Sequence, residues 1–497
     1  MSWRPSPVQC VPQGSDVSDA PAGRRRLPET GLLAVILMVA VHAGWTTLLQ
    51  WDIHNGLGTS SYDVGLYDQG TWLLSRFHAP FVTLMGRNLL GDHASLVMFL
   101  LVPLYWVVPG TQTLLAVQAI VIASGAFPVY LFSRRLLDSR GLGVLMAATW
   151  LLHPAVNGAN LENFHPDSFL GLFLPLALWA LLEKRWRLYV VAVVLCATVK
   201  EDVSLVLVPL GVLAALRGER RRGLLTAAGA VVASLAGMFL LMKPLIGVPT
   251  RNGWRIPFGG PSGFVKEVFT DPLNVWRYLT SEERPFYLWQ MMAPFGFVFV
   301  LAPEVAMVSI LVLTANVVSN FWYQFHVGYH YSLVAVPALL FATAVGLSRV
   351  RRDSRPVAAA VVALCTLVSA YSWTPLPGAR NEVAHWSADH PVAVAAREIM
   401  REVPDGAAIS VYHSLAPHLA HRVHVYQFPN PFRVVLYGTD ISLEGTRDPR
   451  AGLIEYVVLP LEMDEQMAKD WASIAGDFET VARNDHWGVW RRRGISP

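Results

Sequence analysis

The stretch YDVGLYDQGTWLLSRFHAPFVTLMGRNLLGDH, residues 62–93, places several ionisable side chains soon after the first long apolar run of the chain. A charged group held near hydrocarbon costs roughly 3 kcal/mol unless it is solvated or paired. Charge at this position therefore indicates a functional site. The rest of the chain is interpreted as the scaffold that holds this site or covers it.

The composition indicates a polytopic membrane protein. Of the 497 residues, 53% are hydrophobic and only 15% are charged, which is too apolar for an ordinary soluble enzyme. The net charge of +3 gives no reason to expect a nucleic acid partner. Residues 1–27 are rich in Pro, Ser, Gly and Asp, and we predict a disordered cytoplasmic tail there.

Apolar runs separated by polar segments predict an α-helical integral membrane protein with about eleven transmembrane helices in region 28–373. Several of these runs are shorter than the roughly 20 residues that cross a bilayer. The candidates are 31–50, 112–132, 141–156, 168–183, 187–200, 203–216, 223–245, 285–302, 304–321, 331–348 and 356–373.

Basic clusters predict the orientation, because loops rich in Lys and Arg stay in the cytoplasm. We therefore expect a bacterial plasma-membrane protein with a cytoplasmic N-terminus and a first outer loop at 51–111. The apolar run 94–109 is expected to lie along the interface or to re-enter, since a crossing there would invert all later loops. The clusters fall at Arg24–Arg26, Arg134 to Arg140, Lys184 to Arg187, Arg217–Arg222 and Arg349–Arg355.

After Trp373 the chain becomes charged and proline-broken, which predicts a soluble extracytoplasmic α/β domain over residues 374–497. The predicted elements are a helix at 391–403, a strand at 407–412, a short helix through Leu419, a strand at 423–426, an apolar run at 455–460, a helix at 463–475 and two strands within 477–492.

Asp63 and Asp68 are the candidate catalytic groups of the first outer loop. Five residues of helix turn through about 500°, so the two carboxylates need not face one pocket. One could act as a general base or bind a metal ion while the other positions its neighbours. An interfacial helix with aromatic residues at headgroup level explains them equally well. Tyr67, Arg76, Arg87, Asp92 and His93 add groups that could bind substrate, the arginines by matching phosphate oxygens.

A second cluster lies in the proline-broken segment HPAVNGANLENFHPD, residues 153–167. Glu162, His165 and Asp167 could form a metal or acid/base set, or they could simply cap helices. The aromatic segment 320–331 contains rings that suit sugar stacking or an interfacial belt.

Lys200, Glu201 and Asp202 form a third cluster between two apolar runs with almost no loop. The charged groups at such a junction must either face a cavity or form ion pairs with one another. Lys200 is the candidate phosphate contact.

Five motifs carry a family resemblance: YDVGLYDQGTW at 62–72, GDHASLVMFLLVPLY at 91–105, LENFHPD at 161–167, KEDVSL at 200–205 and ISVYHSLAPHLAHRVHVYQFP at 409–429. The chain resembles, from about residue 45 to residue 460, the prokaryotic polytopic membrane proteins designated domain of unknown function 2079. That resemblance implies a membrane protein but no activity.

More distantly, the layout is similar to the C-type glycosyltransferases, which take a sugar from a polyprenyl-phosphate donor at the outer leaflet. Asp63 with Tyr67 falls where those enzymes carry an acidic residue in the first outer loop, although Val64 stands where many have glutamate. The resemblance implies a glycosyltransferase-C-like fold and a lipid-linked sugar donor. The resemblance implies little metal dependence and no certain cofactor, although the carboxylates could hold one divalent metal ion.

The leading hypothesis is a membrane glycosyltransferase that moves a sugar from a polyprenyl-phosphate donor to an extracytoplasmic glycan or lipid acceptor. Asp63 would activate the acceptor hydroxyl with Asp68 in support, while Lys200, Arg76 or Arg87 neutralise the leaving phosphate. Two alternatives remain open. One is a transporter or lipid flippase whose pathway is lined by segments 162–167 and 200–202. The other is a non-catalytic envelope assembly or receptor protein.

Overall fold

A computed structural model describes residues 30–495 of the chain, and helices make up most of it. The predicted disordered tail, residues 1–27, lies outside the described residues. The helices before residue 374 are Thr30–Asn55, Leu66–Ser75, Leu89–Asp92, Val102–Val107, Thr111–Ser124, Ala126–Leu136, Arg140–Leu152, Pro154–Leu161, Leu170–Leu182, Trp186–Ala197, Ser204–Leu216, Arg220–Ala236, Lys243–Ile246, Pro261–Thr270, Pro272–Leu279, Arg284–Met292, Pro303–Ala306, Ile310–Val318, Val336–Arg349 and Arg355–Trp373, joined by short 3-10 and π turns.

Within residues 30–495, five helices are long and apolar enough to cross a membrane. A sixth crossing forms if Arg140–Leu152 and Pro154–Leu161, which meet at 44°, count as one broken span. All eleven predicted runs are largely helical, but the count of eleven spans is not confirmed. The reason is length: Trp186–Ala197 has 12 residues and reaches only about 18 Å of the ~30 Å hydrocarbon core. The five long helices are Thr30–Asn55, Thr111–Leu136, Arg220–Ile246, His330–Arg349 and Arg355–Trp373.

The apolar run 94–109 is divided into two short helical pieces, the 3-10 turn Leu96–Leu100 and the helix Val102–Val107. Six residues of helix reach only about 9 Å, so neither piece can cross a bilayer alone. The run therefore forms no single helix long enough to span, and its place along the interface or in a re-entrant loop stays a prediction.

The basic clusters and the polar motifs lie at opposite ends of the same helices. The helix pair that begins at Arg140 ends next to Glu162, and the span that begins at His330 ends at Arg349. Ion pairs connect the basic ends to one another. They join Arg135 to Glu183 at 3.2 Å, Lys184 to Glu219 at 3.6 Å, and Arg217 and Arg349 to Glu304, the former at 3.7 Å.

A close backbone contact brings the aromatic segment 320–331 against the helix Pro154–Leu161. A Cβ atom on Gly158 would lie only 2.6 Å from Cα of Gly328, so a larger residue at position 158 cannot be accommodated without movement. The contact sets the distance between His330 and the end of that helix.

The C-terminal region forms a five-stranded mixed sheet with helices Pro391–Met400 and Glu465–Ala472. The strands fall where the sequence predicts them, because period-two apolar patterns bounded by prolines and glycines are local signals. The spatial order is Val425–Gln427, Ile409–Val411, Tyr456–Pro460, Trp487–Arg492 and Phe478–Arg483; the first three strands are parallel and the last two are antiparallel to their neighbours.

This sheet packs directly on the first loop. The Thr83 hydroxyl donates to the Val425 carbonyl at 2.7 Å and accepts from the Val425 amide at 3.0 Å. The Gln69 side chain donates to the Arg422 carbonyl at 3.1 Å. The C-terminal sheet therefore holds the segment that contains Asp63.

Candidate functional site

A cavity of about 1040 Å³ opens where the first loop, the polar helix ends, the aromatic segment 320–331 and the C-terminal region meet. Eight of the predicted site residues line it. They are Asp63, Tyr67, Arg87, Asp92, His93, Glu162, His165 and Lys200.

Asp63 has its carboxylate directed at this cavity. Its backbone has φ 69° and ψ −111°, a combination that costs a non-glycine residue of order 1–3 kcal/mol. The side chain is 40% exposed, and Oδ1 lies 3.3 Å from Nε2 of His165. Burial favours the neutral acid, but the hydrogen bond from His165 and the nearby imidazoles hold the pKa of Asp63 below its usual value. Asp63 is therefore an ionised proton acceptor at neutral pH.

Glu162 and His165 form a compact group with His330. The Glu162 carboxylate accepts the His330 amide at 2.8 Å, and its Oε2 lies 2.9 Å from Nδ1 of the same residue. The two imidazole rings stack with centroids 3.7 Å apart. Burial raises the pKa of Glu162 to about 8. Each of the three residues offers one metal-ligand atom, and these atoms lie within 4.8 Å of one another.

Lys200 is a buried cation at the cavity wall, only 5% exposed. Its ammonium lies 3.7 Å from Asp167 and 3.8 Å from Asp202, and it sits 5.5 Å above the ring of Tyr331. Burial opposes the charge, but the two carboxylates raise the pKa of Lys200 above its usual value. Asp167 and Asp202 do not line the cavity and instead keep Lys200 charged.

His93 connects the first loop to the junction 200–202. Its Nδ1 lies 2.8 Å from Oε1 of Glu201, whose other oxygen accepts the Ala94 amide at 3.1 Å. Burial favours protonation of Glu201, but His93 lowers its pKa to about 2. Arg87 is paired with Asp92 at 2.7 Å. Two clusters that are separate in sequence thus form one charged wall.

Two arginines of the segment 246–284, Arg251 and Arg255, also line the cavity, and they were not among the predicted site residues. The Arg255 guanidinium lies 4.3 Å above the ring of Phe321 and donates to the Tyr331 hydroxyl at 3.2 Å. Its Nε atom is buried without a hydrogen-bond partner. The sequence did contain a signal for them. Arginine is usually enriched in cytoplasmic loops, so two arginines in a segment predicted to face outward are unusual.

Residues 53–489 match the protein family described as predicted membrane protein, DUF2079. The chain belongs to this family. No curated protein sequence matches it. The family resemblance predicted from the five motifs is confirmed.

Two crystal structures of ArnT from Cupriavidus metallidurans share the fold of this DUF2079 chain. The structure bound to undecaprenyl phosphate is 13% identical with a TM-score of 0.53, covering 92% of this chain and 97% of ArnT. The apo structure is 12% identical with a TM-score of 0.56, covering 93% and 98%. The distant resemblance to the C-type glycosyltransferases, the group of ArnT, is thereby confirmed at the level of the fold.

The structure of this DUF2079 chain does not bring Asp68 or Arg76 to the cavity. Asp68 is 1% exposed, accepts hydrogen bonds from the hydroxyls of Tyr105 at 2.7 Å and Thr111 at 2.8 Å, and lies 3.0 Å from His421. Arg76 follows the helix Leu66–Ser75 and is exposed. The cause is local: Asp63 precedes this helix, whereas Asp68 lies on the helix face that packs against Tyr105.

Proposed function

We propose that this chain is a plasma-membrane glycosyltransferase that transfers a sugar from a polyprenyl-phosphate donor to an extracytoplasmic acceptor. The observation that carries the proposal is that Asp63, ionised and open to the cavity, shares that cavity with Lys200 and Arg87. A base and a phosphate-binding charge in one cavity are what such a transfer requires.

In the proposed reaction, Asp63 accepts the proton of an acceptor hydroxyl. The hydroxyl oxygen forms a bond to the anomeric carbon of the donor sugar. The bond between that carbon and the phosphate oxygen breaks, and its electron pair leaves with the phosphate. Lys200 stabilises the developing phosphate charge, because its ammonium is held in place by Asp167 and Asp202 before the reaction begins. Arg87, Arg251 and Arg255 add positive charge to the same wall of the cavity.

In this proposal, aromatic rings that line the cavity bind the sugar. Flat apolar faces stack on the C–H surfaces of sugar rings, while polar edges stay available for hydroxyl groups. The Tyr, Trp and Phe rings that line the cavity are those of Tyr62, Tyr67, Trp254, Phe321, Tyr323, Tyr329, Tyr331 and Trp373.

An apolar groove of about 480 Å³ supports a lipid-linked donor. It runs between the helices Trp186–Ala197, Ser204–Leu216 and Arg220–Ala236. Thr198, at one end, is two residues from Lys200. A polyprenyl chain in this groove would have its phosphate next to the cationic wall. ArnT, with the same fold, was crystallised with undecaprenyl phosphate.

The test is an analysis of lipid-linked sugars and envelope glycans in cells that lack this protein, complemented with wild type, Asp63→Asn or Asp138→Asn. Asp138 is an exposed carboxylate at the basic end of the helices, so Asp138→Asn is the matched control. We expect a polyprenyl-phosphate sugar to accumulate in the deletion strain and in Asp63→Asn, and wild type and Asp138→Asn to relieve it. Unchanged lipid-linked sugars in the deletion strain would overturn the proposal and favour a transporter.

A further inference from the structure

We propose that Glu162, His165 and His330 bind one divalent transition-metal ion of the Zn²⁺ type on the wall of the cavity. This site goes beyond the transfer reaction, which the residues Asp63 and Lys200 can support without a metal ion. The three side chains come from two segments that are 168 residues apart at their ends, Glu162 and His330.

The spacing of the ligand atoms suits one tetrahedral ion. With bonds of about 2.1 Å, neighbouring ligands of a tetrahedral Zn²⁺ lie about 3.4 Å apart. Oε2 of Glu162 lies 2.9 Å from Nδ1 of His330 and 3.9 Å from Nδ1 of His165. The two distances bracket the required value, and the third pair of ligand atoms lies within 4.8 Å. Because the rings of His165 and His330 stack at an interplanar angle of 20°, one imidazole rotates out of the stack when both nitrogens face one ion.

A second, independent observation at His165 points to a bound metal ion. The residue is 5% exposed, and its Nδ1 atom is buried without a hydrogen-bond partner. An unsatisfied buried nitrogen of this kind costs about 1–3 kcal/mol. A metal ion at Nδ1 removes that cost.

The other nitrogen of His165 has the partner that metal-bound histidines usually have. Nε2 lies 3.3 Å from the Asp63 carboxylate. A metal-ligating histidine commonly donates its second ring N–H to a carboxylate, which sets the tautomer and strengthens the metal bond. The arrangement therefore leaves Nδ1 of His165 as the ligand atom and makes Asp63 its orienting partner.

The donor set selects the class of ion. Two imidazoles and one carboxylate form the protein part of many open Zn²⁺ sites, whereas Mg²⁺ and Ca²⁺ prefer shells of oxygen. Burial favours the neutral acid of Glu162, so the incoming ion displaces its proton, and the carboxylates of Glu162 and Asp63 then balance the charge of the divalent ion. The nearby cation Lys200 is already paired with Asp167 and Asp202.

All three ligands line the cavity, so a free coordination position would be reachable from it. That position takes an oxygen ligand, either a hydroxyl group or a phosphate oxygen of the substrate. This last step rests on the proposed function, whereas ion binding does not.

The experiment measures Co²⁺ binding to the purified full-length chain after the resident metal has been removed with a chelator. Co²⁺ is a visible substitute for Zn²⁺, and the bound amount is confirmed by elemental analysis. We expect about one ion per chain with the absorption of a tetrahedral nitrogen and oxygen site. Glu162→Gln and His330→Asn should each weaken binding by more than tenfold, and Asp63→Asn by roughly 10- to 100-fold.

The matched control is His326→Asn, in the same loop as His330 and also lining the cavity but outside the ligand set. It should bind Co²⁺ as the wild type does. A second variant, Gly158→Val, keeps every ligand but pushes segment 320–331 away, and it should also lose the tetrahedral spectrum. The proposal is overturned if the wild type holds no stoichiometric ion, or if Glu162→Gln and His330→Asn bind it unchanged. Donor accumulation in the deletion strain would still support the transfer reaction in that case.

Discussion

Oδ1 of Asp63 lies 3.3 Å from Nε2 of His165, although 102 residues separate them in sequence. This contact joins the first loop to the segment 161–167. It gives the strained Asp63 a fixed partner and directs the carboxylate at the cavity. The same imidazole stacks on His330, so three distant segments meet at one point.

Asp68 should act in docking the C-terminal domain. Asp68→Ala leaves the hydroxyls of Tyr105 and Thr111 and the imidazole of His421 without their shared acceptor, so we expect a loss of about 2 kcal/mol or more in stability. Thermal unfolding and limited proteolysis of region 374–497 measure the effect. Glu462→Ala, at an exposed carboxylate of the same domain, should change neither. Equal melting temperatures for the two variants would contradict this role.

Filling the apolar groove should weaken donor binding. A Cβ atom on Gly229, which lines the groove, would have no other atom within 4 Å, so the backbone there accepts a side chain and Gly229→Trp should fill the groove. Excluding two methylene groups of the donor removes about 1.6 kcal/mol of burial, roughly a tenfold loss of affinity.

The measurement is binding of a radiolabelled polyprenyl phosphate to the purified protein. Gly44→Trp is the control, because Gly44 also has open space around it but lies on the helix Thr30–Asn55, outside the groove. Equal binding by both variants and the wild type would exclude the groove as the lipid site.

The His93–Glu201 ion pair should make stability depend on pH. Burial and Lys200 oppose the charge of His93, but Glu201 raises its pKa above the usual value of about 6.5. The folded state therefore binds a proton more tightly than the unfolded state does. The resulting stabilisation is fully present below about pH 6.5 and is lost as pH rises through the folded pKa.

Melting temperatures between about pH 6 and pH 9 measure this effect, and His93→Gln should flatten the fall at the alkaline side. His78→Gln, at an exposed histidine of the same loop, should retain the profile of the wild type. If the melting temperature of His93→Gln falls with pH as that of the wild type does, a group other than His93 causes the dependence.

Labelling of single cysteines tests the orientation, which positive charge at the helix ends supports. In a cysteine-free background, Glu283→Cys should react with an impermeant maleimide on intact cells. Arg220→Cys should react only after permeabilisation. Both positions are exposed, so access of the reagent depends on the side of the membrane alone. The reverse pattern would place the cavity in the cytoplasm and rule out a transfer at the outer face.

Local patterns allowed much of the architecture to be predicted from the sequence. The apolar runs are helical, the run 94–109 is broken, and the strands Ile409–Val411 and Tyr456–Pro460 lie within the predicted segments. These features depend on hydrophobic period and on prolines, which act over a few residues. Eight of the predicted site residues line one cavity, because charged groups between apolar runs must either be solvated or be paired with one another, and their roles in binding and catalysis stay predictions.

Tertiary contacts decided the rest. The close approach of Gly158 to Gly328 brings His330 to Glu162, and no local pattern encodes a contact over such a separation. Whether a carboxylate faces the cavity depends on the strained turn at Asp63 and on the packing of Asp68 against Tyr105.

The sequence by itself determined which segments are helices and strands and which polar groups gather at one end of the helices. Only the tertiary structure decided which of those groups touch, because hydrogen-bond and metal-ligand geometry depends on differences of about 1 Å between segments far apart in the chain.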